Sequence, residues 1–284
     1  MELVSVYITT RNRPNLLERA LNSVLNQTYR HIEIIIVDDC SDKDLSYLID
    51  KYNGTNNIEI FLLRNDTPKG ACHSRNRAIT IAKGKYLTGL DDDDEFVPTR
   101  IEVFIKNYNH ELSFIGANDK ILNPNGKVFL SKRPENVNYK MVLSSCENLV
   151  GNQIFTEVYK WREAGGFDEQ FPALQDFEAY FRIMKNFGAA KILSEPLQII
   201  YKNDDIKRIT TRTNQLYGLI LFYFKYKNLM NELQKKRFII KYRLMKSMLL
   251  KQRSHKINII IILLNSNRYS LKRNLKFFLS IDSN

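Results

Sequence analysis

The sequence predicts an α/β fold with a mostly parallel, Rossmann-like central sheet, because strand and helix patterns alternate along its first hundred residues. The run "IEIIIVDD" at residues 32–39 is apolar up to its two aspartates except for Glu33, as in a strand buried on both faces. Residues 14–27 begin with a proline and then repeat apolar residues at helical spacing. Acidic segments at residues 37–41 and 90–96 each end a predicted strand. They therefore lie at the sheet edge where such folds bind ligands.

The same two periodicities assign the other elements in order. Strands are predicted at residues 3–9, 32–39, 58–63 and 85–90, and helices at residues 14–27, 44–52 and 71–84. Beyond residue 98 the pattern loosens into a helix (98–109), a strand (112–118), a hairpin with an Asn-Gly turn (121–130), two helices around a glycine-rich turn, and extended segments (189–202). The second of those helices is predicted from about Leu174 to Phe187.

Charge divides the chain into two parts. Residues 1–205 hold 25 basic and 29 acidic groups, whereas residues 225–276 hold 15 basic groups and the single acid Glu232. We therefore predict a catalytic or binding domain at residues 1–205 and a basic, mainly helical extension at residues 206–284. Such an asymmetry indicates an acidic partner surface, either nucleic acid or anionic lipid.

Several classes of protein are disfavoured by the composition. A chain that is 44% hydrophobic and 26% charged has enough apolar material for a core. Its three cysteines have no metal-ligand spacing, which favours a reduced, cytoplasmic setting. Its four histidines form no zinc motif. No secretory leader and no apolar run of 18 residues is recognised, so a membrane-spanning helix is not expected.

Four consecutive aspartates, Asp91 to Asp94, follow the strand predicted at residues 85–90. Their carboxylates are hard oxygen ligands that suit Mg²⁺ or Mn²⁺, and these ions take one or two protein carboxylates together with water and substrate phosphates. A metal held there could stabilise the charge on a diphosphate leaving group. The alternative is an acidic, solvated turn, because Asp is a common turn residue.

Two further acidic positions have competing interpretations. Asp38 and Asp39 could hold a base or a ribose at the sheet edge, or Ser41 or Asp42 could simply cap the next helix. Asp176, at the start of the helix predicted from Leu174, could be a general base or a helix cap.

Basic residues cluster in "PKGACHSRNRA", at Lys69, Arg75 and Arg77. The fork of donors on an arginine matches a diphosphate. A solvated helix face is the alternative interpretation.

The order of these segments resembles the inverting family two glycosyltransferases, which have the GT-A fold. "VSVYITTRNRPNLLERALNSVLNQTYRHIEIIIVDDCSDKD" is similar to the opening of that family, and "GACHSRNRAITIAKGKYLTGLDDDDEFVPTRIE" is similar to its Asp-x-Asp segment. "EAGGFDEQFPALQDFEAYFRIMKNFG" is similar to its acceptor-side segment. The resemblance covers residues 2–202 and leaves the C-terminal 80 residues outside it.

On the donor side, the resemblance implies that Thr9 and Arg11 border the nucleotide pocket. Asp39 would hold the uracil, Asp38 would support that turn, and Arg75 would lie near the diphosphate or the sugar.

On the reaction side, the family's Asp-x-Asp matches Asp91 and Asp93, with Asp93 the direct ligand of Mn²⁺ or Mg²⁺. Asp92 and Asp93 form an alternative register within the run. Asp176 matches the catalytic base, although Gln175 stands where many relatives carry Glu.

The resemblance implies transfer of a hexose from a UDP-sugar to a hydroxyl of a lipid-diphosphate-linked or oligosaccharide acceptor, with a β-linkage as product. Glucose or galactose is the first expectation and N-acetylhexosamine is close behind. The setting would be bacterial surface-polysaccharide synthesis, such as that of O-antigen, at the inner face of the plasma membrane.

The basic extension would bind that anionic membrane through an amphipathic surface helix, or it would pack on the catalytic body with a solvated basic face. Two other functions compete with transfer: a non-catalytic nucleotide-sugar or carbohydrate-binding protein, and a nucleic-acid binder that stacks bases on Tyr223 and Tyr226 of the extension. Nucleic acid is not the expected partner, because these tyrosines lie among aliphatic residues.

Overall fold

The computed structural model describes residues 1–202 and 211–251. The chain divides into two compact units, Met1–Arg208 and Ile209–Asn284. The domain boundary predicted near residue 205 lies outside the described residues and stays a prediction.

Most elements lie where the two hydrophobic periods predict them. The strands are β1 (Val4–Thr10), β2 (Ile32–Asp38), β3 (Glu59–Arg64), β4 (Tyr86–Asp91), β5 (Glu95–Phe96), β6 (Ile115–Leu122), β7 (Val128–Leu130), β8 (Asn136–Val137), β9 (Phe155–Glu157) and β10 (Ala190–Tyr201). The helices are α1 (Pro14–Leu25), α2 (Ser46–Tyr52), α3 (Ala71–Ile81), α4 (Arg100–Asn107), α5 (Tyr139–Ser145), α6 (Val158–Glu163), α7 (Gln175–Phe187), α8 (Arg212–Tyr226) and α9 (Glu232–Lys251). Two short 3₁₀ turns lie at Thr55–Asn57 and Lys227–Leu229.

The strands form one mixed sheet in the order β3-β2-β1-β4-β9-β6-β10-β5, with β7 on β6 and β8 on β10. The longer strands pair in parallel, β1 with both β2 and β4, β2 with β3, and β6 with β10. The short strands β5, β7, β8 and β9 pair antiparallel, and β9 joins the two parallel groups. The α/β fold class with a mostly parallel central sheet is therefore confirmed for the long strands.

The N-terminal elements could be predicted from the sequence because their buried residues follow the apolar pattern. All seven residues of β2 are buried, as its mostly apolar run predicts. Pro14 begins α1, whose buried residues Leu17, Leu21 and Val24 recur at helical spacing and join the same apolar cluster.

After β4 the hydrophobic pattern predicted fewer elements than exist. The hairpin with the Asn125-Gly126 turn is present as β6 and β7, where Gly126 takes a φ of +76°. Strands β5, β8 and β9 and helix α5 were not predicted. Three of these are strands of two or three residues, too short to show a period of two.

In the second unit, α8 and α9 pack on each other through aromatic rings. Phe222 stacks on Phe238 with centroids 5.6 Å apart, and Tyr226 lies 4.8 Å from Phe222. The helical character predicted for the extension is thus present in residues 211–251, while the apolar run at 257–264 lies outside the described residues. No helix in the described ranges combines the length and the apolar character that crossing a bilayer requires.

Candidate active site

Parallel pairing brings three strand ends to one edge of the sheet. Thr10 of β1 lies opposite Asp38 of β2, and Thr9 lies opposite Asp91 of β4. The two acidic segments singled out in the sequence are therefore neighbours in space, on either side of the end of β1. Thr9 itself is partly buried at this edge.

Asp38 holds the turn that follows β2. Its carboxylate accepts hydrogen bonds from the backbone N–H of Ser41 at 2.9 Å, from the Ser41 hydroxyl, and from Arg64 at 2.9 Å. Helix α2 begins only at Ser46, after Leu45 as its N-cap residue, so the interpretation of Ser41 or Asp42 as a cap is wrong.

Asp39 ties the segment before α3 to the end of β2. Its carboxylate accepts hydrogen bonds from Asn65 at 2.7 Å, from the N–H of Lys69 at 2.7 Å and from the N–H of Gly70 at 2.8 Å. Burial opposes ionisation of Asp39, but these donors outweigh it and lower the pKa of Asp39, with the nearby charge of Arg11 acting in the same direction. Asp39 is therefore a fixed negative charge, and Arg11 is exposed beside it.

The four aspartates after β4 have two kinds of environment. The residues Asp92 and Asp94 are 5% and 3% exposed, whereas the side chains of Asp91 and Asp93 are 25% and 26% exposed. Only the exposed pair can offer a carboxylate to a ligand at the sheet edge without unfolding the turn.

The buried pair serves the structure of the turn. Asp92 accepts hydrogen bonds from the Thr10 hydroxyl at 2.7 Å and from Arg13 at 3.1 Å, and burial raises the pKa of Asp92 to about 6. Asp94 accepts hydrogen bonds from Gln198 at 2.9 Å and from the N–H of Tyr201 at 3.3 Å. Burial, together with the charges of Asp91 and Asp93, raises the pKa of Asp94. The turn is thus pinned to β1 on one side and to β10 on the other.

Arg75 connects the end of β4 to the start of α7. Its guanidinium lies 2.9 Å from Asp91, 3.3 Å from Asp176 and 3.2 Å from the Gln175 side-chain oxygen, and it stacks 5.1 Å from the ring of Phe167. Burial disfavours the charged guanidinium, but the two carboxylates outweigh burial and raise the pKa of Arg75. Arg75 is 7% exposed, so the interpretation of this residue as part of a solvated helix face is wrong.

The other two basic residues of that segment lie outside this contact. Arg77 donates to the carbonyl of Arg64 at 2.8 Å and to the Asn65 side-chain oxygen, and Lys69 is exposed.

Asp176 lies in the first turn of α7 and does not cap it. The N-cap residue is Leu174, with a φ of +61° and no side-chain hydrogen bond to the helix. Burial raises the pKa of Asp176 to about 6, against the lowering effect of Arg75, while Asp91 adds to the increase. A quarter of the Asp176 side chain is exposed, so the carboxylate can be reached by a substrate hydroxyl. Its pKa near neutrality suits a general base.

The sequence analysis did not identify three residues that support Asp91, namely Gln153, Tyr7 and Gly89. Gln153 donates to Asp91 at 3.1 Å and accepts from the hydroxyl of Tyr7 at 3.3 Å. Gly89 makes room for both, because a Cβ at this position would lie 2.3 Å from the Gln153 oxygen and 2.3 Å from the Tyr7 ring. Glycine inside the predicted strand at 85–90 was the available signal, since such a residue marks a close approach of another group.

The donor set fits a hard divalent cation only in an open form. Within residues 1–202 and 211–251 no three His, Cys, Asp or Glu side chains gather into a metal cluster. Asp91 and Asp93 are two partly exposed carboxylates, which matches the one or two that Mg²⁺-type ions take from a protein before water and phosphate complete the shell.

An α/β sheet that gathers carboxylates and a buried arginine at the carboxyl ends of its parallel strands defines a class of α/β proteins that bind a ligand at that edge. Residues 5–184 match the family described as Glycosyl transferase family 2. The chain belongs to that family, and the resemblance recognised in its sequence is confirmed.

Two relatives are similar over long segments. A protein named as a colanic acid biosynthesis glycosyl transferase, WcaA of Escherichia coli K12, is 35% identical over 241 residues, which are 82% of this chain and 85% of the relative. The UDP-Glc:alpha-D-GlcNAc-diphosphoundecaprenol beta-1,3-glucosyltransferase WfaP of Escherichia coli is 35% identical over 147 residues, which are 51% of this chain and 57% of the relative.

Solved structures with the same fold are more distant in sequence. TarS 1–349 of S. aureus in complex with UDP-GlcNAc has a TM-score of 0.61 at 18% identity, over 84% of this chain and 70% of that chain. The mannosyltransferase PcManGT of Pyrobaculum calidifontis, in complex with GDP-Man and Mn²⁺, has a TM-score of 0.62 at 14% identity, over 99% of this chain and 80% of that chain. These likenesses confirm the GT-A fold predicted from the sequence.

Proposed function

We propose that this protein is a metal-dependent, inverting hexosyltransferase of bacterial surface-polysaccharide synthesis. It moves a hexose from a UDP-sugar to a hydroxyl of a lipid-diphosphate-linked or oligosaccharide acceptor and forms a β-linkage. The observation that carries this proposal is the position of Asp176, a carboxylate with a pKa of about 6 held beside Arg75 and Asp91 at the carboxyl edge of the sheet.

Asp176 is the base in this mechanism. The acceptor hydroxyl gives its proton to the Asp176 carboxylate while its oxygen forms a bond to the anomeric carbon. On the opposite side of that carbon the bond to the diphosphate oxygen breaks, and UDP leaves with the bonding electrons. Attack opposite the leaving group turns an α-linked donor into a β-linked product, and one base is enough for this displacement.

Arg75 holds the two ends of the reaction together. It contacts Asp91, on the donor side, and Asp176, on the acceptor side, with the same guanidinium. Its fixed charge lies where it can face the diphosphate or the sugar of the donor.

Asp93 and Asp91 would hold Mn²⁺ or Mg²⁺ in this proposal, and the bound ion would neutralise charge on the diphosphate. Their side chains are 25% and 26% exposed, which supports this register, whereas the residue Asp92 is 5% exposed and is less accessible to an ion. The mannosyltransferase PcManGT, whose structure contains Mn²⁺, supports the choice of ion.

The nucleotide would lie along the ends of β1 and β2, with Thr9 and Arg11 at its border and Asp39 toward the uracil. Asp38 supports that position through its bonds to Ser41 and Arg64. Glucose is the first donor sugar to test because WfaP uses UDP-Glc by its name, followed by galactose and, from TarS with UDP-GlcNAc, N-acetylglucosamine.

The second unit supports attachment to an anionic membrane at the cytoplasmic face. The exposed face of α9 carries four large apolar residues among basic ones, namely Leu233, Ile240, Leu244 and Met248. Tyr223 and Tyr226 are each 7% exposed and pack against other rings, which supports a lipid partner over nucleic acid.

The test is a donor screen with Mn²⁺ and a lipid-diphosphate sugar acceptor, followed by release of UDP. Acceptor-dependent release from one UDP-hexose, lost in chelator and in the Asp176→Asn variant, is the expected result. Binding of UDP-sugars without acceptor-dependent turnover under any condition would instead identify a non-catalytic nucleotide-sugar-binding protein.

A further inference from the structure

Strand β7 exposes three consecutive large apolar side chains. Val128, Phe129 and Leu130 are 58%, 49% and 60% exposed. Because neighbouring residues of a strand point to opposite faces, both faces of β7 are apolar and in solvent. Scattered exposed apolar residues are ordinary, but a contiguous group of this kind marks a surface that another apolar phase covers.

The charged side chains within the hairpin itself are basic, and the acids Asp119 and Glu135 lie at its base. Lys120, Lys127 and Lys132 are exposed on the hairpin that contains it, and residues 120–134 include no acidic residue. Among the described residues β7 pairs with β6 alone, so its outer side is open. An exposed apolar strand flanked by three lysines is complementary to a lipid surface with anionic headgroups.

The hairpin is preformed rather than loose at its base. The carbonyl of Asp119 accepts the N–H of Ser131 at 3.0 Å, and the Asp119 carboxylate pairs with Arg133. Near the tip, the N–H of Asn123 donates to the carbonyl of Lys127 at 3.0 Å.

This hairpin stands beside the candidate active site. Val128 lies opposite Leu122 of β6, and Leu122 lies opposite Tyr201 of β10. Tyr201 donates its N–H to Asp94 at 3.3 Å, so β7 is two strand spacings, roughly 10 Å, from the strand that pins the aspartate turn.

We propose that the β6–β7 hairpin, residues 120–132, docks in an anionic lipid bilayer and so presents a membrane-borne acceptor to Asp176. The link to the acceptor rests on the proposed function, whereas the docking itself does not. A second copy of this chain is disfavoured as the occupant, because two such hairpins would bring their lysines together without an acid to compensate them.

Phe129→Trp, measured in the full chain, reports directly on the hairpin. Its fluorescence should shift to the blue with phosphatidylglycerol vesicles, should be quenched by brominated acyl chains, and should respond weakly to phosphatidylcholine. The single native tryptophan, Trp161, is 1% exposed and gives a constant background. Ile81→Trp is the matched control: Ile81 is 39% exposed at the end of α3, which packs on β1 and β2 rather than on β6 or β7, and should not respond.

Absence of a vesicle-dependent shift in Phe129→Trp would overturn docking. A blue shift that appears without vesicles and grows with protein concentration would also overturn docking, because a second copy of the chain would then cover β7. Neither readout needs turnover, so failure of the proposed function leaves this test intact.

The acceptor link has its own measurement. Phe129→Ser combined with Leu130→Ser should raise KM for a lipid-diphosphate acceptor in vesicles by about tenfold, because the weaker membrane contact lowers its local concentration. KM for the UDP-sugar, and KM for a water-soluble acceptor of the same sugar, should stay unchanged. Equal losses with both acceptors would show that the substitutions act on the catalytic centre and would overturn the link.

Discussion

The guanidinium of Arg75 lies 3.3 Å from the carboxylate of Asp176, and the same guanidinium lies 2.9 Å from Asp91. Two carboxylates that would repel each other are thus held in one site by a buried cation between them. The contact joins α3 and the end of β4 to the start of α7, about 100 residues later in the chain. It fixes the candidate base against the candidate metal ligand before any substrate binds.

Asp176→Asn should abolish sugar transfer and leave UDP binding intact, because an amide cannot accept the proton of the acceptor hydroxyl. A loss of roughly 10²–10⁴-fold in kcat is expected for removal of a general base. The measurement is UDP release at saturating substrates, with calorimetry for the Kd of UDP. Glu169→Gln, at an acid with a half-exposed side chain in the same segment, is the control and should change kcat little. Unchanged turnover in Asp176→Asn would exclude this residue as the base.

The pH dependence of kcat/KM should show an acidic limb near pH 6. The base works deprotonated, so the rate rises about tenfold per unit below the pKa of Asp176 and levels above it. Since Arg75 lowers the pKa of Asp176, Arg75→Gln should move the limb to higher pH as well as reduce the rate. Arg77→Gln changes an arginine two residues further along α3 that has separate contacts, and it should leave the limb in place. A limb that stays fixed in Arg75→Gln would contradict the electrostatic coupling.

Gly89→Ala should disturb Asp91 indirectly, by displacing the side chains of Gln153 and Tyr7. The new Cβ would meet the Gln153 oxygen and the Tyr7 ring at 2.3 Å, and Gln153 is a donor to Asp91. A loss of about 1–3 kcal/mol in the free energy of unfolding is expected for such overpacking. Activity at a temperature where the variant is folded should also fall.

Gly54→Ala separates this effect from a general cost of adding a methyl group. Nothing lies within 4 Å of the position of its Cβ, and its φ of +79° alone predicts a cost of about 1 kcal/mol. The free energy of unfolding and kcat are measured for both variants. Equal losses in Gly89→Ala and Gly54→Ala would show that Gly89 has no special role.

The sequence could predict which residues lie at the sheet edge, but not which side chains bind one another there. β1, β2 and β4 are long enough to show their apolar runs, and chain order places their ends together. That Asp91 and Asp93 are partly exposed while Asp92 and Asp94 are buried depends on Thr10, Arg13 and Gln198. The first two come from the end of β1 and its connection to α1, and Gln198 comes from β10, about 100 residues after the aspartates. A run of four identical residues contains no local signal that separates them.

Arg75 and Gln153 illustrate the same limit. Helical spacing showed that Arg75 lies on α3, but whether it faced solvent or the site depended on α7, about 100 residues later in the chain. Gln153 precedes β9, a strand of three residues inserted between β4 and β6, and nothing in its neighbours predicted that pairing. Long-range antiparallel insertions of this kind leave no period in the sequence.

Asp93→Asn and Asp92→Asn should distinguish the two registers of the aspartate run. In Asp93→Asn the concentration of Mn²⁺ for half-maximal activity should rise by at least about tenfold, because a neutral amide is a weaker ligand for a hard cation. In Asp92→Asn it should stay near the wild-type value, since that residue is 5% exposed and its carboxylate is bound to Thr10 and Arg13. The reverse order of the two variants would assign the direct ligand to Asp92.

The exposed face of α9 should bind anionic bilayers, and removing its apolar residues should weaken that binding. At 100° per residue, the four side chains that are 54–59% exposed fall within an arc of about 80°: Leu233, Ile240, Leu244 and Met248. Lys236, Arg237 and Arg243 are exposed on the same side of the helix, while Phe238 and Tyr242 face the buried side. Replacing the four apolar residues by Ser should therefore spare the packing of α8 on α9.

Partition of that variant into phosphatidylglycerol vesicles should fall by about tenfold or more, and the binding that remains should be lost at high salt, as expected of lysines and arginines acting alone. Tyr47→Ser, at a residue 46% exposed in the first unit, is the matched loss of an exposed ring and should not change partition. Retained partition in the four-residue variant, with helix content unchanged by circular dichroism, would show that the attachment is made elsewhere. In that case Phe129→Trp fluorescence would report whether the β6–β7 hairpin alone is responsible.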